Sequence, residues 1–93
     1  MDGENMISKN FTIQNKVGLD VRPAVIFVQE CNRFICEITL KKGNKTVNAK
    51  SVIGVMAIAA GYGDEITVIT DGTDEEKAMQ DIEVFFNERI QKM

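Results

Sequence analysis

An acid, an arginine and a proline lie together in the segment Gly18-Leu19-Asp20-Val21-Arg22-Pro23-Ala24, directly ahead of an apolar run. Proline is tolerated in the first turn of a helix, and an aspartate three residues earlier suits the N-cap position. A helix N-terminus with an arginine beside it also binds anions such as phosphate. The segment is therefore typical of a loop-to-helix anion site, in which the carboxylate of Asp20 stands where a ligand could lie.

A serine lies in a second notable segment, Lys45-Thr46-Val47-Asn48-Ala49-Lys50-Ser51-Val52-Ile53-Gly54-Val55-Met56. Serine is a favoured N-cap, so Ser51 is predicted to open the short helix that follows it. A phosphate on such a serine would gain from the helix dipole and from the free N–H groups of the first turn. Lys45 and Lys50 are expected to lie close enough to temper the added charge. Ser51 is therefore a candidate phosphorylation site.

Together, the two segments resemble the two motifs of the HPr family, the histidine-containing phosphocarrier proteins of the bacterial sugar phosphotransferase system. The first family motif reads Gly-Ile/Leu-His-Ala-Arg-Pro-Ala, and its histidine carries the phosphoryl group. The second contains the serine that HPr kinase/phosphorylase modifies. The resemblance runs from about Met6 to the C-terminus. The chain is similar to the Crh-like paralogues, which lack the histidine and keep the serine, but those carry a glutamine where Asp20 stands here.

Asp20 occupies the histidine position, and the chain contains no histidine at all. A carboxylate could form an acyl phosphate, but known aspartyl acceptors are helped by a divalent cation. No second acid is close in sequence, and we predict no catalytic residue, metal site or cofactor. The favoured interpretation is that Asp20 caps the helix and pairs with Arg22. As a third option, Asp20 imitates a phosphorylated histidine, although one charge is a weak copy of nearly two.

Ile53 and Met56 are three residues apart, so they share one face of the short helix. Core packing would also explain them, but Val52 and Val55 are expected to fill that role. In the family, the residues that match Ile53 and Met56 are exposed and dock partner proteins. The resemblance implies a single partner-binding surface made of Arg22, Val25, Gln29, Ile53 and Met56.

The resemblance implies a regulatory binding protein and not an enzyme. HPr kinase/phosphorylase would phosphorylate Ser51, and the phosphoprotein would act as a corepressor of catabolite control protein A in carbon catabolite repression. The repressor, not this chain, would read the DNA. Two alternatives stay open, namely a phosphocarrier that accepts phosphate on Asp20 and an HPr-like interaction domain whose phosphotransfer role has lapsed.

Length and composition predict one globular domain that stays in the cytoplasm. The chain has 93 residues, of which 44% are hydrophobic, and we find neither a bilayer-spanning apolar run nor a basic-then-apolar leader. A net charge of −3 with scattered cations argues against direct nucleic-acid binding. Cys31 and Cys36 lack the further ligands of a zinc site and are predicted to be small buried residues. The sequence leaves the oligomeric state open.

The spacing of apolar residues predicts the element order β-α-β-β-α-β-α in an α+β fold. Residues 1–5 are predicted to be a disordered N-terminal extension and residues 6–93 the HPr-like domain. The resemblance implies an open-faced sandwich, with a four-stranded antiparallel sheet in the order 1-4-2-3 and the helices on one face.

Three helices are expected. The first is predicted over residues 21–33 and the second over 51–59. Thr73 and Glu76 match a capping box for the third helix, which is expected to bury either Phe85 or Phe86.

Overall fold

A computed structural model describes residues 6–93 of the chain, so the predicted disordered extension at residues 1–5 lies outside the described residues. The predicted order of strands and helices is confirmed. Across the described residues, no helix is both long enough and apolar enough to cross a membrane. The elements are β1 (Ile7–Thr12), α1 (Val21–Cys31), β2 (Glu37–Lys42), β3 (Lys45–Asn48), α2 (Val52–Ala57), β4 (Glu65–Asp71) and α3 (Glu75–Val84), followed by a π-helical turn (Phe85–Arg89) and a 3-10 turn (Ile90–Lys92).

The strands form one antiparallel sheet in the order β1-β4-β2-β3, which confirms the order that the resemblance implied. Side chains alternate between the two faces of the central strands, as the pleat of a strand requires. The residues that β2 and β4 bury on the inner face are Ile38, Leu40, Ile66, Val68 and Thr70. Helical side chains join the same core, so the molecule is an α+β open-faced sandwich.

Phenylalanines from three elements meet at the centre of this core. Phe86 stacks on Phe11 of β1 with ring centroids 5.1 Å apart, and Phe85 lies 5.4 Å from Phe27 of α1. The expectation that one of Phe85 and Phe86 would be buried understates the packing, because both rings are buried. Adjacent helical side chains point about 100° apart, and the apolar stripe of a packed helix is at least that wide.

The start of α3 differs from the prediction. Thr73 and Glu76 do not form the capping box that the sequence predicted. Asp74 holds the N-cap position, but its carboxylate accepts hydrogen bonds from the backbone N–H groups of Ile35 and Cys36, at 2.8 and 2.9 Å. These bonds lower the pKa of Asp74. The carboxylate of Asp74 therefore connects α3 to the loop between α1 and β2 instead of capping its own helix. Local sequence does not predict this contact, because the loop is distant along the chain.

Two helices end earlier than predicted. The first ends at Cys31 rather than Arg33, and the second at Ala57 rather than Ala59. Ala59 has a φ of 54°, which is left-handed backbone and cannot continue a right-handed helix.

Two hydrogen bonds determine how α1 and α2 lie against each other. Before α1 begins, the N–H of Leu19 donates to the carbonyl of Ala60 at 2.8 Å. After α1 ends, the side-chain amide of Asn32 donates to the carbonyl of Lys50 at 3.2 Å. The start of α1 thus lies beside the end of α2, and the end of α1 beside the start of α2. The two helices therefore run antiparallel.

The first of these contacts requires glycine at position 18. Gly18 has a φ of 67°, and a Cβ there would lie only 2.4 Å from the carbonyl oxygen of Ala60. Gly43, in the turn between β2 and β3, has a similar φ of 58°, but no atom lies within 4 Å of the place where its Cβ would be. The two glycines therefore share the backbone constraint and differ in the steric one.

This difference gives a testable prediction about stability. Gly43→Ala should lower the free energy of unfolding by about 1 kcal/mol, the cost of left-handed backbone. Gly18→Ala should lower it by at least about 3 kcal/mol, because overpacking is added to the same backbone cost. Urea denaturation of both variants measures the difference. Equal losses would show that the close approach of Gly18 to Ala60 does not occur in solution.

Candidate functional site

Asp20 lies at the N-cap of α1, with an extended backbone and an exposed side chain. Its carboxylate accepts no hydrogen bond from the helix, and among residues 6–93 no ion pair joins it to Arg22. The predicted side-chain cap and pairing are therefore wrong. Part of the reason is Pro23, which occupies the third helical position, where a capping carboxylate would seek an N–H that proline lacks. Within the described chain, the Asp20 carboxylate faces solvent.

The loop that carries Asp20 is held by one of its own side chains and by the loop that faces it. The side-chain amide of Asn15 donates to the Gly18 carbonyl at 3.0 Å, within a buried turn. Lys42, the last residue of β2, donates to the Ala59 carbonyl of the facing loop at 3.0 Å and pairs with Asp64 at 3.0 Å. Asp64 in turn accepts from the N–H of Gly61 at 2.8 Å. The backbone around Asp20 is therefore positioned from both sides.

Ser51 is the N-cap of α2, as predicted. Its Oγ accepts a hydrogen bond from the N–H of Gly54 at 3.1 Å, and the side chain is half-buried. The ammonium of Lys50, the residue before Ser51, donates to the carbonyl of Phe34 at 2.6 Å and keeps its positive charge. Lys45 lies exposed on β3. The serine oxygen therefore lies among backbone N–H donors, with the adjacent lysine already engaged.

The residues of the predicted partner surface lie on α1 and α2. Ile53 and Met56 of α2 are 84% and 37% exposed, whereas Val55 is fully buried. On α1, Arg22 and Gln29 are exposed and Val25 is half-buried. Arg22, Val25 and Gln29 are spaced three and four residues apart along α1, so they share one face of that helix, and α1 packs against α2.

Three further exposed apolar residues lie near Asp20, and the sequence analysis did not select them. They are Val17, Val21 and Tyr62. Helical spacing would place Val21 on the same face as Ala24 and Val28, so periodicity gave no signal of its exposure. Its position in the first turn, beyond the edge of the core, leaves it uncovered.

Asp20 and Ser51 lie at opposite ends of the α1–α2 pair. Asp20 precedes α1 beside Ala60, while Ser51 opens α2 beside Asn32. A helix rises about 1.5 Å per residue, so the eleven residues of α1 separate the two positions by about 15 Å. They are two separate positions, and the length of α2 lies between them.

A metal ion beside Asp20 would need several ligating side chains. Among residues 6–93, no three His, Cys, Asp or Glu side chains form a cluster that could hold a metal ion.

Comparison with known proteins agrees with this architecture. A family model for the PTS HPr component phosphorylation site matches residues 7–88. The HPr-like protein Crh of Halalkalibacterium halodurans is 49% identical over 80 residues, which cover 86% of this chain and 95% of that protein.

Solved structures are similarly close. Phosphocarrier protein HPr from Bacillus anthracis matches with a TM-score of 0.85 and 43% identity, covering 89% of this chain and 99% of that one. Crh of Bacillus subtilis, described as an intertwined dimer with a swapped domain, matches with a TM-score of 0.71 and 40% identity, covering 88% of this chain and 94% of that one. The chain therefore belongs to the HPr family, as a Crh-like member that lacks the phosphocarrier histidine.

Proposed function

We propose that this chain is a phosphorylation-dependent regulatory protein and not an enzyme. HPr kinase/phosphorylase phosphorylates Ser51 in the cytoplasm, and the phospho-form binds catabolite control protein A as a corepressor in carbon catabolite repression. The observation that carries the proposal is the position of the Ser51 oxygen, at the N-cap of a helix that also exposes Ile53 and Met56.

The N-cap makes Ser51 suitable for reversible modification. Its oxygen already accepts from the N–H of Gly54, so a phosphate on that oxygen would meet the first turn of α2 and the positive end of the helix. A phosphoserine adds about −1.5 to −2 charges and three acceptor oxygens. Modification is therefore expected to leave the fold intact while it changes the charge of the surface.

The surface around Ser51 supplies the other part of a docking site. Ile53 is 84% exposed and lies two residues from the phosphate-accepting oxygen, with Met56 one turn further along. Burial of such side chains typically stabilises a complex by about 1.5–3 kcal/mol each. The partner that fits is one with an apolar pocket next to basic side chains that pair with the phosphate.

In this proposal, Asp20 is the reason that the chain does not act as a phosphocarrier. A carboxylate replaces the nucleophilic imidazole, and the described residues supply no cluster of His, Cys, Asp or Glu that could hold the metal ion that assists known aspartyl acceptors. The chain is similar to Crh of Bacillus subtilis, which is described as a catabolite repression protein. This similarity favours the hypothesis of a regulatory protein over that of a phosphocarrier.

The first test is the source of phosphate. Incubation with HPr kinase/phosphorylase and ATP should add one phosphate, measured as intact mass, whereas enzyme I with phosphoenolpyruvate should add none. Ser51→Asn should abolish the addition and still fold, since asparagine is as good an N-cap as serine. Phosphate that arrives from phosphoenolpyruvate, and is lost in Asp20→Asn, would instead establish a carrier. A chain that neither system phosphorylates would be an interaction domain without phosphotransfer.

The second test concerns the docking surface. In the Ser51-phosphorylated protein, Ile53→Ala and Met56→Ala should each weaken binding to catabolite control protein A about tenfold, since each removes apolar area from the contact. Val84→Ala is a matched control, because Val84 lies on α3 and is 41% exposed, close to the 37% of Met56. It should leave the affinity unchanged. Equal effects of all three substitutions would contradict the proposed surface.

A further inference from the structure

A charged cluster joins α1 to the C-terminal segment. Glu30, near the end of α1, lies between two arginines, with Nη2 of Arg89 3.1 Å from its Oε2 and Nη1 of Arg33 3.4 Å from its Oε1. Arg89 comes from the π-helical turn, and its guanidinium lies 5.9 Å from the ring centroid of Phe85. Glu30 is therefore an ionised carboxylate that is held in place by both elements.

A second carboxyl group faces Glu30 from α3. The carboxyl groups of Asp81 and Glu30 lie within hydrogen-bonding reach of each other. Oδ2 of Asp81 is buried, and within residues 6–93 no donor reaches it. Two ionised carboxylates in this position repel each other, but a proton on one of them donates to the other. The orphaned oxygen of Asp81 is where such a proton can reside.

The surroundings decide which carboxyl holds the proton. The hydrogen bond with Glu30, and then burial, raise the pKa of Asp81 to about 6. The same hydrogen bond, together with the charge of Arg89, lowers the pKa of Glu30. The arginines thus keep Glu30 ionised, and Asp81 is the member of the pair that gains and loses the proton near pH 6.

Other groups near Asp81 do not titrate in the same range. Lys77 on α3 lines the same shallow groove, and Arg33 on α1 pairs with Glu30. The thiols of Cys31 and Cys36 are buried, as predicted from the sequence, and burial raises the pKa of Cys36 to about 11 and that of Cys31 further. The chain has no histidine, the residue that ordinarily titrates between pH 5 and 8.

We propose that Glu30 and Asp81 form a pH-sensitive clasp between α1 and α3. With one proton shared between them, the two carboxyl groups hold the helices together. When that proton is lost, two negative charges face each other across the helix contact and weaken it. The helix that would loosen is α1, which also carries Arg22, Val25 and Gln29.

The direction of the pH effect follows from the raised pKa. A carboxyl group that is protonated more readily in the folded chain than in the unfolded chain stabilises the fold at low pH, and that stabilisation is lost as the pH rises through the folded value. Between pH 5 and pH 7.5, the folding equilibrium constant should fall about tenfold because of Asp81 alone. Ordinary carboxylates are already ionised across this range and contribute no slope.

Denaturant unfolding of the full chain at pH 5 and pH 7.5 tests the clasp. The unmodified chain should show the tenfold fall, and Asp81→Asn, whose amide donates to Glu30 without titrating, should change less than about twofold. Glu88→Gln, which removes an exposed acid from the π-helical turn, should keep the full fall. An Asp81→Asn protein that retains the fall of the unmodified chain overturns the proposal.

A direct titration keeps the proposal testable even if a variant fails to fold. The side-chain carboxyl carbon of Asp81, followed by NMR in the unmodified chain, should titrate near pH 6, and in Glu30→Gln it should move toward the ordinary aspartate value of about 4. A midpoint below about 4.5 in the unmodified chain would show that the two carboxyl groups share no proton.

Discussion

The contact between Gly18-Leu19 and Ala60-Gly61 determines the geometry of the whole candidate site. It forms only because position 18 has no side chain, and it places the start of α1 against the end of α2. The antiparallel pairing of these helices follows from that contact and from the Asn32–Lys50 hydrogen bond at the other end. Asp20 and Ser51 consequently lie about one helix length apart, at opposite ends of the helix pair.

The separation of these two positions explains how the fold can lose one function and keep another. Replacement of a histidine by Asp20 changes the chemistry at one end of the helix pair, where backbone contacts with the facing loop hold the position regardless of its side chain. Ser51 depends on a different set of bonds, its own cap on Gly54 and the anchoring of Lys50 to Phe34. The two sets share no hydrogen bond, so a change of side chain at position 20 leaves the N-cap of Ser51 in place.

Much of the fold could be predicted from the sequence because it rests on local patterns. Alternation in β2 and β4, the Gly43-Asn44 turn and the Ser51 cap are each encoded within a few residues, and all are present. Strand order was not derivable from those patterns and came from resemblance to the family. Some of the predictions that failed involve tertiary partners: the carboxylate of Asp74, the N-cap of α3, binds the loop at Ile35 instead of its own helix.

The candidate site shows the same division between local and tertiary signals. The exposure of Ile53 and the burial of Val55 follow from helical spacing once the core side is known. The Glu30–Asp81 pair could not be predicted from the sequence, because the residues lie 51 positions apart and meet only when α1 packs on α3. Asp20 was misjudged for a local reason, since Pro23 removes an N–H that the capping argument had assumed.

Isothermal titration of catabolite control protein A with this chain, in its unphosphorylated and Ser51-phosphorylated forms, tests the central claim most directly. The account predicts measurable binding of the phospho-form and at least about tenfold weaker binding of the unmodified form, since a charge-assisted contact is worth about 1.5–3 kcal/mol. Equal affinities for both forms, or no binding by either, would contradict the claim that a phosphate on the α2 N-cap turns this surface into a regulatory signal.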